Sequence, residues 1–216
     1  AEGMRAADAQ TWRGVPLLGE NKTSFDDRSA VAVKSPADND ISVGHVVWAN
    51  EDDIETALAG AAAAADRWSA TPGRERAAIL RRYADLLESH TAELIALCAR
   101  EAGKNIGDGV AEVREAVDFC RYYACQVEDE FDGETLLPGP TGERNTYRLV
   151  GRGVFVCICP WNFPLAIFTG QVTAALAAGN AVIAKPAEQT CLIGYRAIEL
   201  MHEAGVPRDV LYFLPG

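Results

Sequence analysis

The chain has 216 residues, a formal net charge of -11 and 49% hydrophobic residues, with a pI near 4.7. So acidic a chain is a poor partner for nucleic acid or an anionic membrane surface, and no apolar run is long enough to span a bilayer. The apolar share is ample for a packed core, enough for one large domain or one and a half of typical size. The six cysteines fall mostly inside apolar periodic segments, form no Cys-x-x-Cys pair and lie at zinc spacing from no histidine. They read as reduced, buried thiols, and no metal site is expected.

Residues 1–29 are mixed and polar, broken by Gly14, Pro16 and Gly19, and read as an extended arm. Residues 30–34 and 41–48 are β-rich and joined by a hairpin-like link, residues 35–40. Asn50 then caps a helix whose apolar positions Ile54, Ala57, Leu58, Ala61, Ala62 and Ala65 keep the helical period. Thr71-Pro72 opens the next helix, with proline expected at the first helical position and Ile79, Leu80, Tyr83, Leu86 and Leu87 on one face. A break around residues 89–91 precedes a third helix, which Gly103 ends. Residues 110–130 form the longest helix candidate. One non-polar stripe runs through Val110, Val113, Val117, Cys120 and Ala124, and a second through Ala111, Glu115, Phe119 and Tyr122. Turn signals at Asp132-Gly133 and Pro138-Gly139-Pro140 lead into a strand over 144–150. From Gly153 the pattern alternates strand (154–158), helix (165–178), strand (181–184), helix, strand (210–213), which implies a parallel sheet of right-handed βαβ units.

Open parallel sheets place ligands at the carboxyl ends of their strands. Two polar clusters sit there: Pro160-Trp161-Asn162-Phe163-Pro164 and Lys185-Pro186-Ala187-Glu188. The amide of Asn162 is a fixed donor with no proton to lose, which suits an oxyanion forming at a carbonyl carbon. The same residue would also serve as cap for the helix that Pro164 opens. Glu188 can accept both hydroxyls of a ribose and would repel a 2′-phosphate, with Lys185 donating beside it, although an exposed i, i+3 ion pair would look the same. Gly151-Arg152-Gly153 precedes its strand and fails the context of a dinucleotide fingerprint, so it is a turn. Cys159 and Cys191 have no histidine nearby in sequence to act as base, and read as packing residues.

The order and wording of these segments, from about Ala30 to Gly216, resemble the aldehyde dehydrogenase superfamily. The stretches Glu101-Ala102-Gly103-Lys104, Arg121-Tyr122-Tyr123-Ala124 and Lys185-Pro186 are most similar to the glutamate γ-semialdehyde dehydrogenase domain of the bifunctional proline utilization A family. Cys191 stands where the superfamily often has proline. The resemblance implies an α/β fold, a Rossmann-like NAD-binding domain over 30–134 and 151–216, with residues 135–150 as an oligomerisation strand or linker. It implies Asn162 as the catalytic oxyanion donor, and Ile158, Pro160, Trp161, Lys185, Pro186 and Glu188 as NAD contacts. Phe163 and Glu115 would line the aldehyde site, Glu115 pairing with the substrate's ammonium unless it is simply a charge on a solvated face. The family's catalytic cysteine and general-base glutamate are expected beyond Gly216, so these residues alone should be inactive. The implied parent oxidises L-glutamate γ-semialdehyde with NAD in the bacterial cytoplasm, as a homo-oligomer, with FAD in a separate proline dehydrogenase domain. Alternatives are another semialdehyde, such as succinate semialdehyde, or a non-catalytic NAD-binding or oligomerisation module.

Overall fold

A computed structural model describes residues 11–22 and 29–216. Of the expected arm, residues 1–10 and 23–28 lie outside the described residues. The described part is not a free arm: β1 (Trp12–Gly14), β2 (Leu17–Leu18) and β3 (Asn21–Lys22) are all hydrogen-bonded into sheets. Trp12, Val15 and Leu17 are buried, which ties the segment down despite its polar composition.

β4 (Val31–Ser35) and β5 (Asp38–Val46) form an antiparallel hairpin, with β1 parallel on the far edge of β5. The link is tighter than 35–40, because Ser35 already pairs with Asp38 across Pro36-Ala37. α1 (Glu51–Ala70) starts in a capping box, Asn50 and Asp53 each accepting the other's backbone N–H. Pro72 stands one place earlier than expected, as the N-cap of α2 (Gly73–Ser89). α3 (Thr91–Ala102) ends at Gly103, φ 68°, and α4 (Ile106–Glu130) follows, opened by Asn105.

The main sheet has the order β3-β2-β10-β9-β8, with β8 (Val154–Ile158), β9 (Ala181–Lys185) and β10 (Leu211–Phe213) parallel, as the alternation predicts. Between them run α5 (Ala166–Ala177) and α6 (Cys191–Glu203). Side chains alternate across the sheet with period two. Ala181, Ile183 and Tyr212 pack on Ala57, Ala61 and Ala65 of α1, while Val182, Ala184, Leu211 and Phe213 join the large core on the α5–α6 side. α2, α3 and α4 sheathe α5 and α6 from outside.

β8 departs from expectation. Its apolar run reads as buried, yet it is the outer strand and Phe155, Val156 and Ile158 are exposed. A parallel strand is apolar throughout because both its faces are normally covered. The second stripe of α4 also faces outward, with Ala111, Glu115 and Tyr122 exposed and Phe119 half-buried. β6 (Thr135–Leu137) and β7 (Asn145–Tyr147) form a separate two-stranded hairpin that exposes Leu136, Leu137 and Tyr147.

Candidate active site

Asn162 sits in the turn between β8 and α5, exposed at the carboxyl end of the strand. It does not cap α5. The N-terminal amides of that helix are met by Glu112 from α4: Oε2 accepts from Leu165 N–H at 3.2 Å and from Ala166 N–H at 2.8 Å. Glu112 is only 1% exposed, and its Oε1 lies 2.9 Å from Lys104 Nζ. Lys104 in turn stands over the Phe163 ring, 4.4 Å from its centroid. A carboxylate at a helix N-terminus matches the positive end of the macrodipole and satisfies amides that have no partner within the helix. Asn162 lies three residues before the N-cap, Leu165, and is free of the capping duty that sequence alone would give it.

The next helix repeats the device. Glu101 of α3 is 3% exposed and accepts from Leu192 N–H at 2.7 Å and Ile193 N–H at 2.8 Å, at the start of α6. Burial pushes its carboxyl up to about 8, opposed by those two amides. The carboxyl ends of both helices are held by guanidinium groups of α2. Arg76 Nε donates to Ala177 O, and Arg82 Nε to Ala204 O, each at 2.8 Å, while Trp68 Nε1 donates to Leu176 O at 3.0 Å. Cations at the carboxyl ends are what the helix dipole favours, and at the amino ends the two acids satisfy amides that have no partner within the helix. The helices that carry the two polar loops are thus gripped at both ends by α1–α4.

Lys185 closes β9 and Glu188 begins the short 3₁₀ turn Glu188–Thr190. Their side chains pair at 3.2 Å, and Glu188 is exposed. Its carboxyl is held below the ordinary range, first by its own backbone N–H and then by Lys185, so it is ionised at neutral pH. Pro186 is buried behind it. Beside Lys185 a groove of about 310 Å³ opens on the α1 side of the sheet, floored by Val156, Ile183, Ile54, Leu58 and Leu214. Ile158, Trp161 and Phe163 are exposed along the same ends of the strands, with Pro160 half-buried among them.

Glu115 is exposed on α4, one turn beyond Glu112. Phe119, a further turn along, lies against Gly170 of α5, where a Cβ would meet the ring at 3.0 Å. Glu115 therefore occupies the flank of α4 that runs beside the start of α5. Among the cysteines Cys125 is exposed, against expectation, because it falls on the outward face of α4. The thiols nearest the site make poor nucleophiles: burial pushes Cys157 up to about 11 and Cys159 to about 12, and raises Cys191 although it heads α6. The turn at Gly151-Arg152-Gly153 is pinned by Asn180 Oδ1, which accepts from Gly153 N–H at 3.0 Å. Gly151 runs so close to the Gly179 carbonyl that a Cβ there would collide with it.

An open α/β sheet with an amide donor after one strand and a lysine–glutamate pair after the next is the arrangement anticipated from the sequence, and residues 23–216 match the aldehyde dehydrogenase family. The chain belongs to that family. Among its relatives in the family, bifunctional protein PutA of Salmonella typhimurium is 49% identical over 207 residues, 96% of this chain and 14% of that protein. The 1-pyrroline-5-carboxylate dehydrogenase of Staphylococcus epidermidis is 37% identical over 217 residues, covering 100% of this chain and 41% of the relative. The chain therefore spans less than half the length of either relative. Among solved structures, proline utilization A from Bdellovibrio bacteriovorus inactivated by N-propargylglycine superposes with a TM-score of 0.93 at 34% identity. That match covers 100% of this chain and 22% of the other. The 1-pyrroline-5-carboxylate dehydrogenase from Thermus with bound NAD gives 0.93 at 34% identity, covering 100% and 42%.

Sequence reasoning missed Glu112, Glu101, Lys104, Arg76 and Arg82. A signal existed for three of them. Glu112 falls in phase with Val113, Ala116 and Cys120, Glu101 with Leu94, Leu97 and Cys98, and Arg76 with Ala77, Leu80 and Tyr83. A charge in phase with an apolar stripe must find a partner across the core.

Proposed function

We propose that these residues are the front part of an NAD-dependent aldehyde dehydrogenase that oxidises L-glutamate γ-semialdehyde, in equilibrium with pyrroline-5-carboxylate, to glutamate in cytoplasmic proline catabolism. The observation that carries the reading is Asn162: an exposed amide at a strand's carboxyl end, three residues before the N-cap of α5. In that place it donates to the oxygen of an aldehyde as a nucleophile adds to the carbonyl carbon. Glu188 and Lys185 hold the adenosine ribose, and the apolar groove beside Lys185 fits a nucleotide's flat face. Ile158, Pro160, Trp161 and Pro186 complete the cofactor side. NAD, when bound, supplies the hydride acceptor. Phe163 walls the aldehyde, and Glu115 meets the substrate's ammonium.

The substrate assignment rests on the relatives named PutA and 1-pyrroline-5-carboxylate dehydrogenase and on Glu115. The nucleophile and base belong to further residues of the longer protein, as does FAD, in a proline dehydrogenase domain. Exposed Leu136, Leu137, Tyr147 and Val150 favour self-association through residues 135–150.

The test is NADH formation by the full-length protein from pyrroline-5-carboxylate. Asn162→Ala should lower kcat by ~10²–10³-fold, with the KM for NAD little changed. Unaltered turnover in that variant would remove Asn162 from the chemistry. Faster oxidation of succinate semialdehyde by the unmodified enzyme would favour the second reading, in which the fold is kept and the aldehyde differs.

A further inference from the structure

The turn that carries Asn162 is fixed at defined points. Upstream, Cys159 N–H donates to Lys185 O at 3.0 Å, tying the turn to β9. Downstream, the Leu165 and Ala166 amides end on Glu112, and Phe163 O accepts from Ile167 N–H at 3.2 Å. In between, the Lys104 ammonium stands over the Phe163 ring, and Pro164 is buried. The Lys104 side chain is 16% exposed and that of Glu112 1%.

A carboxylate so deeply buried needs compensation: Oε2 accepts from both amides, whereas Oε1 makes no hydrogen bond and has the Lys104 ammonium 2.9 Å away as its counter-charge. Lys104 is therefore held by an acid that cannot leave for solvent. The ammonium also stands over the ring of Phe163, itself exposed, and a cation is attracted to such a face. The ammonium thus links a fixed point of α4 to the residue next to Asn162.

We propose that Lys104 and Glu112 act as a positioning pair, Glu112 anchoring the start of α5 and Lys104 holding Phe163, so that the Asn162 amide keeps a single direction toward the reacting carbonyl. The kinetic consequence rests on the function proposed above, whereas the structural consequence stands apart from it. Neither residue touches substrate on this account. Their effect passes through the geometry of the turn, where a displacement of about 1 Å can cost ~10²-fold in rate.

The experiment uses the full-length protein with Lys104→Met and Lys104→Arg, compared by amide hydrogen exchange and steady-state kinetics. In Lys104→Met the Ile167 amide, which donates to Phe163 O, should exchange faster while Leu165 and Ala166 stay the better protected, on Glu112. The kcat should fall ~10–10²-fold for every aldehyde the enzyme accepts, at unchanged KM for NAD. Lys104→Arg, which can pair with the acid and stack on the ring, should restore both readouts. Exchange at Ile167 that is unchanged in Lys104→Met overturns the proposal, whatever the enzyme turns over. Faster exchange throughout the domain overturns it too, because Lys104 would then be a general stabiliser. If the turn loosens locally but no aldehyde is oxidised even by the unmodified protein, the positioning pair stands and the proposed reaction falls.

Discussion

The helices after β8 and β9 begin alike and end alike, but their buried acids live differently. Glu112, at the head of α5, faces the Lys104 ammonium at 2.9 Å as well as two amides. Glu101, at the head of α6, is met by two amides, and burial pushes its carboxyl up to about 8. The loop before α5 carries Asn162, for which we propose a role in the reaction. The loop before α6 carries Glu188, for which we propose a role in holding the cofactor. An acid with a facing ammonium stands behind the first, and an acid whose carboxyl burial pushes up stands behind the second.

The largest effect should come from deleting the anchors. Glu112→Ala strips two amides of their acceptor and leaves Lys104 beside an empty space. Breaking a buried pair in this way costs ~3–5 kcal/mol. Glu101→Ala loses the same number of amide bonds but also removes a poorly solvated acid, so the cost should be nearer ~1–2 kcal/mol. Native-state hydrogen exchange of the α5 and α6 amides in the full-length protein reads both losses. Equal losses would break the comparison, since the ammonium would then add nothing.

Protonation should separate the helices next. A folded-state pKa raised from 4.5 to about 8 means that the folded chain keeps a proton the unfolded chain has released. The stability contributed by Glu101 is therefore complete below about pH 4.5 and lost as pH rises through about 8. The opening free energy of the α6 amides, corrected for intrinsic exchange rates, should fall between these limits, by at most ~5 kcal/mol if the whole shift is expressed. In Glu101→Gln that decline should vanish, with the α5 amides of the same sample as reference. A decline that persists in Glu101→Gln assigns the titration to another group.

Much of this was legible in the sequence because it rests on short-range rules. The cap at Asn50, the stop at Gly103 and the strand–helix alternation after Gly153 each depend on a few neighbouring residues, and each appears where it was read. The polar clusters at Asn162 and Lys185 were visible for the same reason. What escaped is long-range. No local pattern says that Glu112 reaches Leu165 or that Arg82 reaches Ala204, because those bonds span 53 and 122 residues. The exposure of β8 escaped too, since apolar content signals two covered faces and cannot say which strand stands at the edge. Asn162 was the sharpest case. By local rules it is a good helix cap, yet the helix starts later, with Leu165 at the cap position, and Glu112 from another helix meets its first amides.

The smallest effect should fall on Glu188, where the second loop meets solvent. Its ion pair with Lys185 is exposed, so removing the charge should leave the fold as stable as before. The consequence should appear in cofactor choice. With the carboxylate present, a ribose offers it two hydroxyls while a 2′-phosphate meets a like charge, and such juxtapositions carry discrimination more than affinity. Glu188→Gln keeps the shape, loses the repulsion and leaves Lys185 free to face an added phosphate. In the full-length protein the ratio of kcat/KM for NADP over NAD should therefore rise ~10-fold, mostly through a weaker grip on NAD and a relaxed exclusion of NADP. Asn162 lies in the other loop, so turnover at saturating NAD should hardly move. A fall in kcat at saturation with an unchanged cofactor ratio would show that Glu188 supports the loop's shape and not the ribose. The division of labour between the two helix starts would then have to be redrawn.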